Sequence, residues 1–323
     1  MIEVIGVTKK YGGKPVVEDL SFTIRPGVVT GFLGPNGSGK TTTMRMILGL
    51  TRPDTGTVLV DGVPFAEHRN PMGALGALID TKQGHPGRSA FRHLQAVAAT
   101  AGIGTSRVRE VLETVGLSEV AHRRIGGFSL GMTQRLGVAT ALLADPSSLI
   151  LDEPINGLDP DGILWMRNLV RTLAAEGRAV LLSSHLMSEM ALTAHHAVVI
   201  GQGRLIADDA VSSLIQRSTS ATQVVQVRTP QDEELARLVH AAGGCLSHEP
   251  DGSHRVNGLA LEELSELIAS HGIRMHEFTP LRASLEEAYT ELVADSVTFR
   301  ARGVNAPHPN LPDPTRQTPS LSR

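Results

Sequence analysis

The stretch GPNGSGKTTT, residues 34–43, follows the apolar run VVTGFL and precedes residues typical of a helix. Its first six residues hold three glycines, so the loop is almost without side chains. The spacing G-x-x-x-x-G-K-[ST] between a strand and a helix is that of a phosphate-binding loop. Glycines allow several main-chain N–H groups to point inward, and the following helix adds its positive N-terminal end. The sequence therefore predicts a site for a nucleotide's phosphates.

Two side chains of this loop have individual expected roles. Lys40 can reach the β- and γ-phosphates, and the hydroxyl of Thr41 can hold Mg²⁺. The alternative is a glycine-rich turn with a helix cap, which the strand–loop–helix context disfavours. The residues predicted to surround the phosphates are Gly34, Pro35, Asn36, Gly37, Ser38, Gly39, Lys40, Thr41 and Thr42.

Composition limits the class of protein. The 323 residues, 41% of them hydrophobic, suffice for one large domain and a smaller one. The formal net charge of −3 gives no general reason to expect nucleic acid as a partner. A single cysteine, Cys245, cannot form an internal disulfide and fits a reducing, cytosolic setting. We find neither a signal peptide nor an apolar run of membrane-spanning length, so we expect a chain that does not cross a bilayer by itself.

Hydrophobic periodicity predicts an α/β fold over residues 1–216. Residues 2–8 and 15–24 alternate apolar and polar side chains, which predicts antiparallel strands of a half-buried sheet. Strands then alternate with helices, which favours a largely parallel sheet. Residues 84–145 are mostly helical and are predicted to form a second lobe.

The pattern changes after residue 216. Residues 217–300 read β-α-β-β-α-β, a ferredoxin-like order, closed by a helix in ASLEEAYTELVAD. This segment predicts a small α+β domain. Residues 301–323 contain five prolines and few large apolar residues, which predicts a disordered tail.

Two carboxylates follow the apolar run SLIL at residues 148–151. In a phosphate-loop enzyme such a strand supplies the second Mg²⁺ contact, here Asp152. Glu153 would then lie beside the γ-phosphate, where it could orient or deprotonate a water molecule. Apolar strands also end in surface acids for no catalytic reason, and it is the pairing with Lys40 that favours the functional interpretation.

These motifs resemble the ATP-binding subunit of an ABC transporter over residues 2–215, and within that family the single-cassette drug and antibiotic efflux ATPases of bacteria. The resemblance implies a P-loop NTPase cassette with a RecA-like core, an antiparallel β-subdomain and a helical subdomain. It implies ATP and Mg²⁺ as cofactors. The segment after residue 216, including SLEEAYTEL, loosely resembles the small appended domain of efflux-type members, and a packing or dimerisation module without catalytic residues is the alternative.

The family signature, usually LSGGQ, is represented by FSLGM at residues 128–132. Ser129 and Gly131 are retained, whereas Leu130 and Met132 replace a glycine and the glutamine. Ser129 can cap the helix that begins near Met132, and that helix N-terminus can face a phosphate. The resemblance therefore implies that Ser129 and Gly131 bind nucleotide.

Three further positions match family motifs. Tyr11 matches the aromatic residue that stacks on adenine, with a surface tyrosine as the alternative. Asp159 in NGLD matches the loop at the dimer interface, and it can also cap the next helix. His185 matches the histidine that contacts the γ-phosphate. His195 and His196 match no family position, and we interpret them as structural.

One position departs from the family. Where a glutamine usually follows a strand, LGALIDTKQG aligns Asp80, and Gln83 would need a register shift. An acid there can still ligate Mg²⁺ through water. Residues 80–93, with Arg88 and Arg92, are where we expect a cytoplasmic helix of a membrane partner to dock, and a solvated basic loop is the alternative.

The resemblance implies a head-to-tail homodimer, in which each ATP lies between the phosphate loop of one subunit and the signature of the other. It also implies a separate transmembrane permease, a peripheral position at the cytoplasmic face of the membrane, and export of a drug, antibiotic, peptide or lipid. Two alternatives are a soluble ABC-type ATPase of translation or DNA repair, and a non-catalytic regulator. The second predicts loss of Lys40 or Glu153, and both are present.

Overall fold

The computed structural model describes residues 1–79, 84–217, 224–281 and 284–293. The strands are β1 (Ile2–Tyr11), β2 (Lys14–Ile24), β3 (Val29–Leu33), β4 (Thr55–Val60), β5 (Leu75–Leu78), β6 (Ser148–Leu151), β7 (Ala179–Ser183), β8 (His196–Gly201), β9 (Arg204–Ala210), β10 (Val224–Arg228), β11 (Cys245–His248), β12 (His254–Asn257) and β13 (Glu277–Leu281). The helices are α1 (Lys40–Ile47), α2 (Pro71–Ala74), α3 (Ala90–Thr100), α4 (Thr105–Thr114), α5 (Leu130–Leu142), α6 (Pro160–Ala175), α7 (Met187–Thr193), α8 (Val211–Arg217), α9 (Asp232–Ala241), α10 (Leu261–Ser270) and α11 (Leu285–Val293).

A six-stranded sheet forms the centre of the larger unit, in the order β5-β6-β7-β3-β8-β9. Its first five strands are parallel, and β9 pairs antiparallel with β8. Every residue of β3, β6 and β7 is buried, as expected for parallel strands covered on both faces. The carboxyl ends of these three neighbouring strands meet at one edge, which is where an open α/β sheet binds ligands.

A second, three-stranded antiparallel sheet in the order β2-β1-β4 covers α1 and one face of the central sheet. Alternate residues of β1 and β2 are buried, so the predicted half-buried strands are present. Their apolar side chains pack with Met44 and Ile47 of α1. The rings of Phe22 and Phe32 lie 5.3 Å apart between the two sheets. The three-stranded sheet thus packs against α1, the helix that follows the phosphate loop.

The run TVLVDGVPF, residues 57–65, predicts a strand by its apolar residues, and the observed strand β4 ends earlier. It ends at Val60, because Asp61 and Gly62 turn the chain with positive φ angles of 48° and 79°. Val60 and Val63 then form an isolated antiparallel bridge across this turn.

The helical lobe over residues 84–145 contains α3, α4 and α5 around a shared apolar core that includes Leu94, Val108 and Leu136. The helix α5 is also seated directly on the central sheet. A Cβ atom at Gly76 of β5 would lie 2.1 Å from the carbonyl oxygen of Ala141. Glycine is thus required where the α5 backbone approaches β5, and α5 joins the lobe to the sheet.

A smaller unit with the order β10-α9-β11-β12-α10-β13 follows residue 223. Its four antiparallel strands are ordered β11-β12-β10-β13, with the two helices packed through Leu235, Val239 and Leu264 onto Val225 and Val227. This element order is that of the ferredoxin-like arrangement.

The last described helix, α11, differs from expectation. The sequence grouped it with the small domain, but Leu285 and Val293 are buried in the core cluster of the larger unit. Their neighbours are α7, α8 and β9. An amphipathic sequence shows that a helix has an apolar face but not which surface that face covers. In the described part of the chain, no helix has the length and apolar character needed to span a bilayer.

Candidate nucleotide-binding site

The phosphate loop connects β3 to α1. Gly39 occupies the N-cap position of α1 with a φ of 104°, and among the described residues no side chain caps this helix end. The first turn carries no acidic residue either. The N–H groups at a helix N-terminus have no partner within the helix. With the helix dipole they form a site for an anion.

Close backbone approaches explain the glycines of the loop. A Cβ atom at Gly34 would lie 2.5 Å from the carbonyl oxygen of Ile200 and 2.5 Å from Oγ of Ser38. One at Gly39 would lie 2.8 Å from the carbonyl oxygen of Val16, in a backbone conformation that other residues rarely adopt. The loop is therefore compressed between β2 and β8, which leaves its inner face for a ligand.

Lys40 curls back over this loop. Its Nζ donates hydrogen bonds to the carbonyl oxygens of Gly34 at 2.5 Å and Pro35 at 3.2 Å. Burial lowers the pKa of the Lys40 ammonium below its ordinary value, and the negative charges of Glu153 and Asp152 partly oppose that shift. The cation is thus held where the phosphates of a nucleotide would compensate for its lost hydration.

Asp152 and Thr41, the predicted Mg²⁺ ligands, lie within hydrogen-bonding distance of each other. The register of β6 and β7 pairs Leu151 with Leu182, so Asp152 comes level with Ser183. Ser183 Oγ donates to Asp152 Oδ1 at 2.5 Å, and Thr41 Oγ1 donates to the other carboxylate oxygen at 3.2 Å. The pair presents two hard oxygen atoms beside the phosphate loop, a donor set that suits Mg²⁺.

Glu153 and His185 are brought together by the strand order. Their side chains form a hydrogen bond of 2.8 Å between Oε2 and Nδ1. The main-chain N–H of His185 also donates to Oε2 at 3.3 Å, and Ser183 Oγ accepts from the N–H of Glu153 at 2.9 Å. Glu153 has a φ of 49°, which is uncommon for a residue other than glycine. The Glu153 carboxylate is thus held next to Asp152 by contacts with His185.

The sequence did not reveal Ser183 or Gln134 as site residues. Gln134 donates from Nε2 to the carbonyl oxygens of Glu153 at 3.3 Å and Asn156 at 3.4 Å. The sequence does offer an indication for Gln134, because it lies on the buried face of α5 with Val138. A glutamine is rarely buried at such a position unless its amide has hydrogen-bond partners. Ser183 carried no comparable signal, because its role depends on β6 lying beside β7.

The signature residues lie apart from this cluster. Ser129 caps α5 by accepting a hydrogen bond from the N–H of Met132 at 3.2 Å, as the sequence predicted. Gly131 follows it in the first turn of the same helix. Within the described segments, no hydrogen bond or ion pair joins either residue to the phosphate loop of this chain. In the described residues, the N-terminus of α5 is thus not part of the polar cluster around Lys40, Asp152 and Glu153.

Tyr11 and Asp159 also occupy separate positions. Tyr11 ends β1 and is 50% exposed, with Nζ of Lys9 lying 5.6 Å from its ring centroid. Asp159 caps α6, since its Oδ1 accepts from the N–H of Gly162 at 2.9 Å. Capping is one of the two roles that the sequence left open for Asp159.

Asp80 and Gln83 lie outside the described residues, so the structure does not bear on the departure at that position. Arg88 and Arg92 are exposed, and Arg92 Nη1 donates to Gln95 Oε1 at 2.9 Å. His195 Nδ1 accepts from the N–H of Val29 at 3.2 Å, and His196 pairs with Asp208.

The fold and the site define a P-loop nucleotide-binding cassette. A profile described as ABC transporter matches residues 17–156, and one described as a domain of unknown function (DUF8746) matches residues 223–286. The chain is 36% identical to the uncharacterized ABC transporter ATP-binding protein YhcH of Bacillus subtilis (strain 168), with 92% of this chain and 97% of that protein aligned. It is 34% identical to the bacitracin transport ATP-binding protein BcrA of Bacillus licheniformis, over 91% and 97% of the two chains.

A solved structure of similar fold is the dimeric post-hydrolysis state of the ATP-binding cassette MJ0796 with ADP and Pi. It has a TM-score of 0.60 and 21% identity, over 65% of this chain and 98% of that one. The chain belongs to the ATP-binding proteins of ABC transporters. It is accordingly an ATPase, and the resemblance inferred from its motifs is confirmed. Cassettes of this family dimerise and pair with transmembrane permeases.

Proposed function

We propose that this chain is the ATPase subunit of an exporter, peripheral at the cytoplasmic face of the membrane, and that it drives a separate permease. The cargo class is a drug, antibiotic, peptide or lipid. The near full-length match to a bacitracin transport protein supports this proposal. An ATPase of translation or DNA repair is the less favoured alternative, since the relatives are named as transport proteins.

The working form in this proposal is a head-to-tail homodimer. The capped N-terminus of α5, with Ser129 and Gly131, belongs to a lobe without a polar link to its own phosphate loop in the described residues. A twofold axis allows each signature to face the loop at residues 34–42 of the other subunit. The solved cassette of similar fold is described as dimeric, which supports a dimeric working form.

Each site residue then has a proposed role. Lys40 and the loop amides bind the β- and γ-phosphates, and Tyr11 stacks on adenine. Glu153 positions or deprotonates the attacking water, and His185 contacts the γ-phosphate. Asp159 lies at the subunit interface. The convergence of Lys40, Thr41, Asp152, Glu153 and His185 at the ends of β3, β6 and β7 is the observation that carries the proposal.

Mg²⁺ in this proposal is held by Thr41 and Asp152, whose oxygens already face each other at 3.2 Å. Bound there, it would neutralise charge on the β- and γ-phosphates. Among the described residues no group of three His, Cys, Asp or Glu side chains could hold a metal. That is compatible with Mg²⁺, which proteins bind through one or two ligands together with phosphates and water. Asp80 is proposed as a water-mediated ligand.

We also propose a division of the chain near residue 217, with residues 84–145 as the helical subdomain and residues 224–281 as an accessory packing or dimerisation unit. The described helix α11 belongs with the cassette. Residues 80–93, with exposed Arg88 and Arg92, are the proposed docking place for a cytoplasmic helix of the permease.

The decisive experiment replaces Glu153 with glutamine. The Glu153→Gln variant is expected to bind ATP with unchanged affinity, to hydrolyse it at least about 100-fold more slowly, and to accumulate as a dimer, because loss of the carboxylate removes proton acceptance but not phosphate contacts. Size-exclusion chromatography with ATP and Mg²⁺ measures the dimer. Glu113→Gln on the exposed face of α4 is the matched control and should behave as wild type. A purely monomeric, fully active Glu153→Gln protein would refute the proposal.

A further inference from the structure

We propose that Gln134 is a positioning residue for hydrolysis, which acts by holding the main chain of Glu153 and the loop after it. In this inference, Leu130 and Gly157 form a second contact between the same helix and the same loop. The inference rests on the proposed role of Glu153. It assigns a function to two features that neither the phosphate loop nor the capping of α5 explains.

Gln134 is fully buried in α5 and points its amide nitrogen at the loop. Nε2 lies 3.3 Å from the carbonyl oxygen of Glu153 and 3.4 Å from that of Asn156. Both neighbours are acceptors, so the amide must present its NH₂ group to them. Oε1 has no hydrogen-bond partner among the described residues. The contribution of Gln134 is therefore the pair of N–H donors that it presents to these two carbonyl oxygens.

Packing alone does not account for this residue. The surrounding positions of the buried stripe of α5 are apolar, including Leu136, Val138 and Leu142. Burying an amide is unfavourable unless it is hydrogen-bonded, and here one oxygen remains unpaired in the described part of the chain. An apolar side chain of similar volume would fill the space without that cost. What such a side chain would lack is the pair of donors to the loop.

The loop needs such support because Glu153 is held in an unfavourable conformation. Its φ of 49° lies in the left-handed region, where a residue with a Cβ is strained. Strain of this kind persists only where the surroundings over-determine the backbone. Ser183 accepts from the N–H of Glu153, His185 binds its carboxylate, and Gln134 donates to its carbonyl oxygen. In this inference, loss of Gln134 removes a donor that helps to hold the main chain of Glu153 and the loop after it in this conformation.

The second contact is steric. A Cβ atom at Gly157 would lie 2.1 Å from Cδ2 and 2.6 Å from Cγ of Leu130, so the leucine lies directly over the glycine. Gly157 has a φ of 74°, which a glycine adopts without strain. Leu130 is the residue that replaces a glycine of the usual signature, and 54% of it is exposed. It therefore adds a clamp between α5 and the loop at residues 153–158.

The first test uses Gln134→Met, which keeps the length of the side chain and removes its donors. We expect kcat for ATP hydrolysis to fall at least tenfold while the equilibrium affinity for a fluorescent ATP analogue stays within twofold, because the phosphate loop is untouched. Thr140→Val is the matched control. It removes a hydroxyl that donates to the carbonyl oxygen of Leu136 in the same helix, and both constants should stay within twofold.

A folded Gln134→Met protein with unchanged kcat would overturn the inference, as would a loss of kcat matched by an equal loss of affinity. Glu153→Gln in the same assay separates the two proposals. If Glu153→Gln is inactive and Gln134→Met is active, the inference alone fails. If Glu153→Gln is active, the proposed role of Glu153 fails.

The second test examines the contact between Leu130 and Gly157, and it does not depend on whether Gln134→Met folds. Gly157→Ala is expected to lower kcat at least tenfold, because the new methyl group meets Leu130. In a Leu130→Ala background the same change should lower kcat at least threefold less, since the obstacle has been removed. An equal loss in both backgrounds would show that the clamp does not position the loop.

Discussion

Lys40 shows how one residue combines charge with burial. Its ammonium group bonds to the carbonyl oxygens of its own loop, in a place where burial disfavours the charged form. Asp152 and Glu153 favour that charge. A polyphosphate entering the loop would favour it further, so the free protein holds a cation whose best partner is the nucleotide.

Replacement of this residue should therefore weaken ATP binding. For Lys40→Ala we expect a 10- to 100-fold loss of affinity, because a hydrogen bond to a charged group contributes about 1.5–3 kcal/mol. Titration with a fluorescent ATP analogue measures the loss. Lys14→Ala, at an exposed position of β2, is the control and should bind as wild type. Unchanged affinity in Lys40→Ala would show that the loop binds phosphates without the lysine.

The lowered pKa of Lys40 also predicts a pH dependence with a definite sign. In the free protein the ammonium loses its proton at a lower pH than an ordinary lysine, and bound phosphates raise its pKa again. At pH values between the lowered pKa of Lys40 in the free protein and its higher pKa in the complex, ATP binding takes up protons. The affinity for ATP should therefore fall as the pH rises through the lowered pKa. Calorimetry in two buffers of different ionisation enthalpy, above the pH at which the γ-phosphate is ionised, measures the uptake. Proton release on binding would contradict the assignment.

At the scale of the element, α5 connects three parts of the molecule. Its N-terminus carries the signature and is capped by Ser129, its middle holds Gln134 against the loop after Glu153, and its C-terminal half contacts Gly76 of β5. One helix thus connects the signature to the loop after Glu153 and to the central sheet.

Replacement of Ser129, the N-cap of α5, tests whether this residue contributes to ATPase activity as well as to stability. Ser129→Ala should cost about 1 kcal/mol of stability, the usual value for a lost N-cap, and should also reduce ATPase activity. Ser284→Ala is the matched control, because Ser284 accepts from the N–H of Glu287 at the start of α11. It should cost a similar amount and leave activity unchanged. Urea unfolding and ATPase rates measure the two effects, and equal activities would argue against a role for Ser129 in binding nucleotide.

At the scale of the whole molecule, the chain folds back on itself. After the small unit of β10–β13, α11 returns to the larger one and buries Leu285 against it, next to α7 and α8. Tyr289 packs there too, and burial raises the pKa of its hydroxyl. The small unit is therefore joined to the cassette at both of its ends.

This arrangement predicts where destabilisation should appear. Leu285→Ala should cost about 2–5 kcal/mol, the usual range for a buried leucine, and should increase hydrogen exchange in α7 and α8. Leu264→Ala, in the core of the small unit, is the control and should increase exchange within residues 224–281. Hydrogen-exchange mass spectrometry distinguishes the two. Increased exchange confined to residues 224–281 in Leu285→Ala would place α11 with the small unit.

Much of the site could be predicted because its motifs are local. The phosphate loop, Asp152, Glu153 and the capping role of Ser129 each depend on a few consecutive residues at the junction of two elements. The predicted strands and helices of the cassette are likewise present, apart from the shortened β4 and the unexpected short helices α2, α7 and α8. Hydrophobic periodicity shows that one face of a helix is buried but not which surface covers it. For this reason α11 was wrongly grouped with the small domain rather than with the cassette.

The order of residues 34–43 by itself predicts a phosphate-binding loop, because a tight glycine loop before a helix depends only on neighbours along the chain. Which strands and helices lie side by side was decided only by the tertiary structure. Ser183 touches Asp152, His185 touches Glu153, and Gln134 supports Glu153 only because β6, β7 and α5 are assembled side by side. Those contacts join residues 19 to 32 positions apart, and burial of the shared core selects them rather than any local preference.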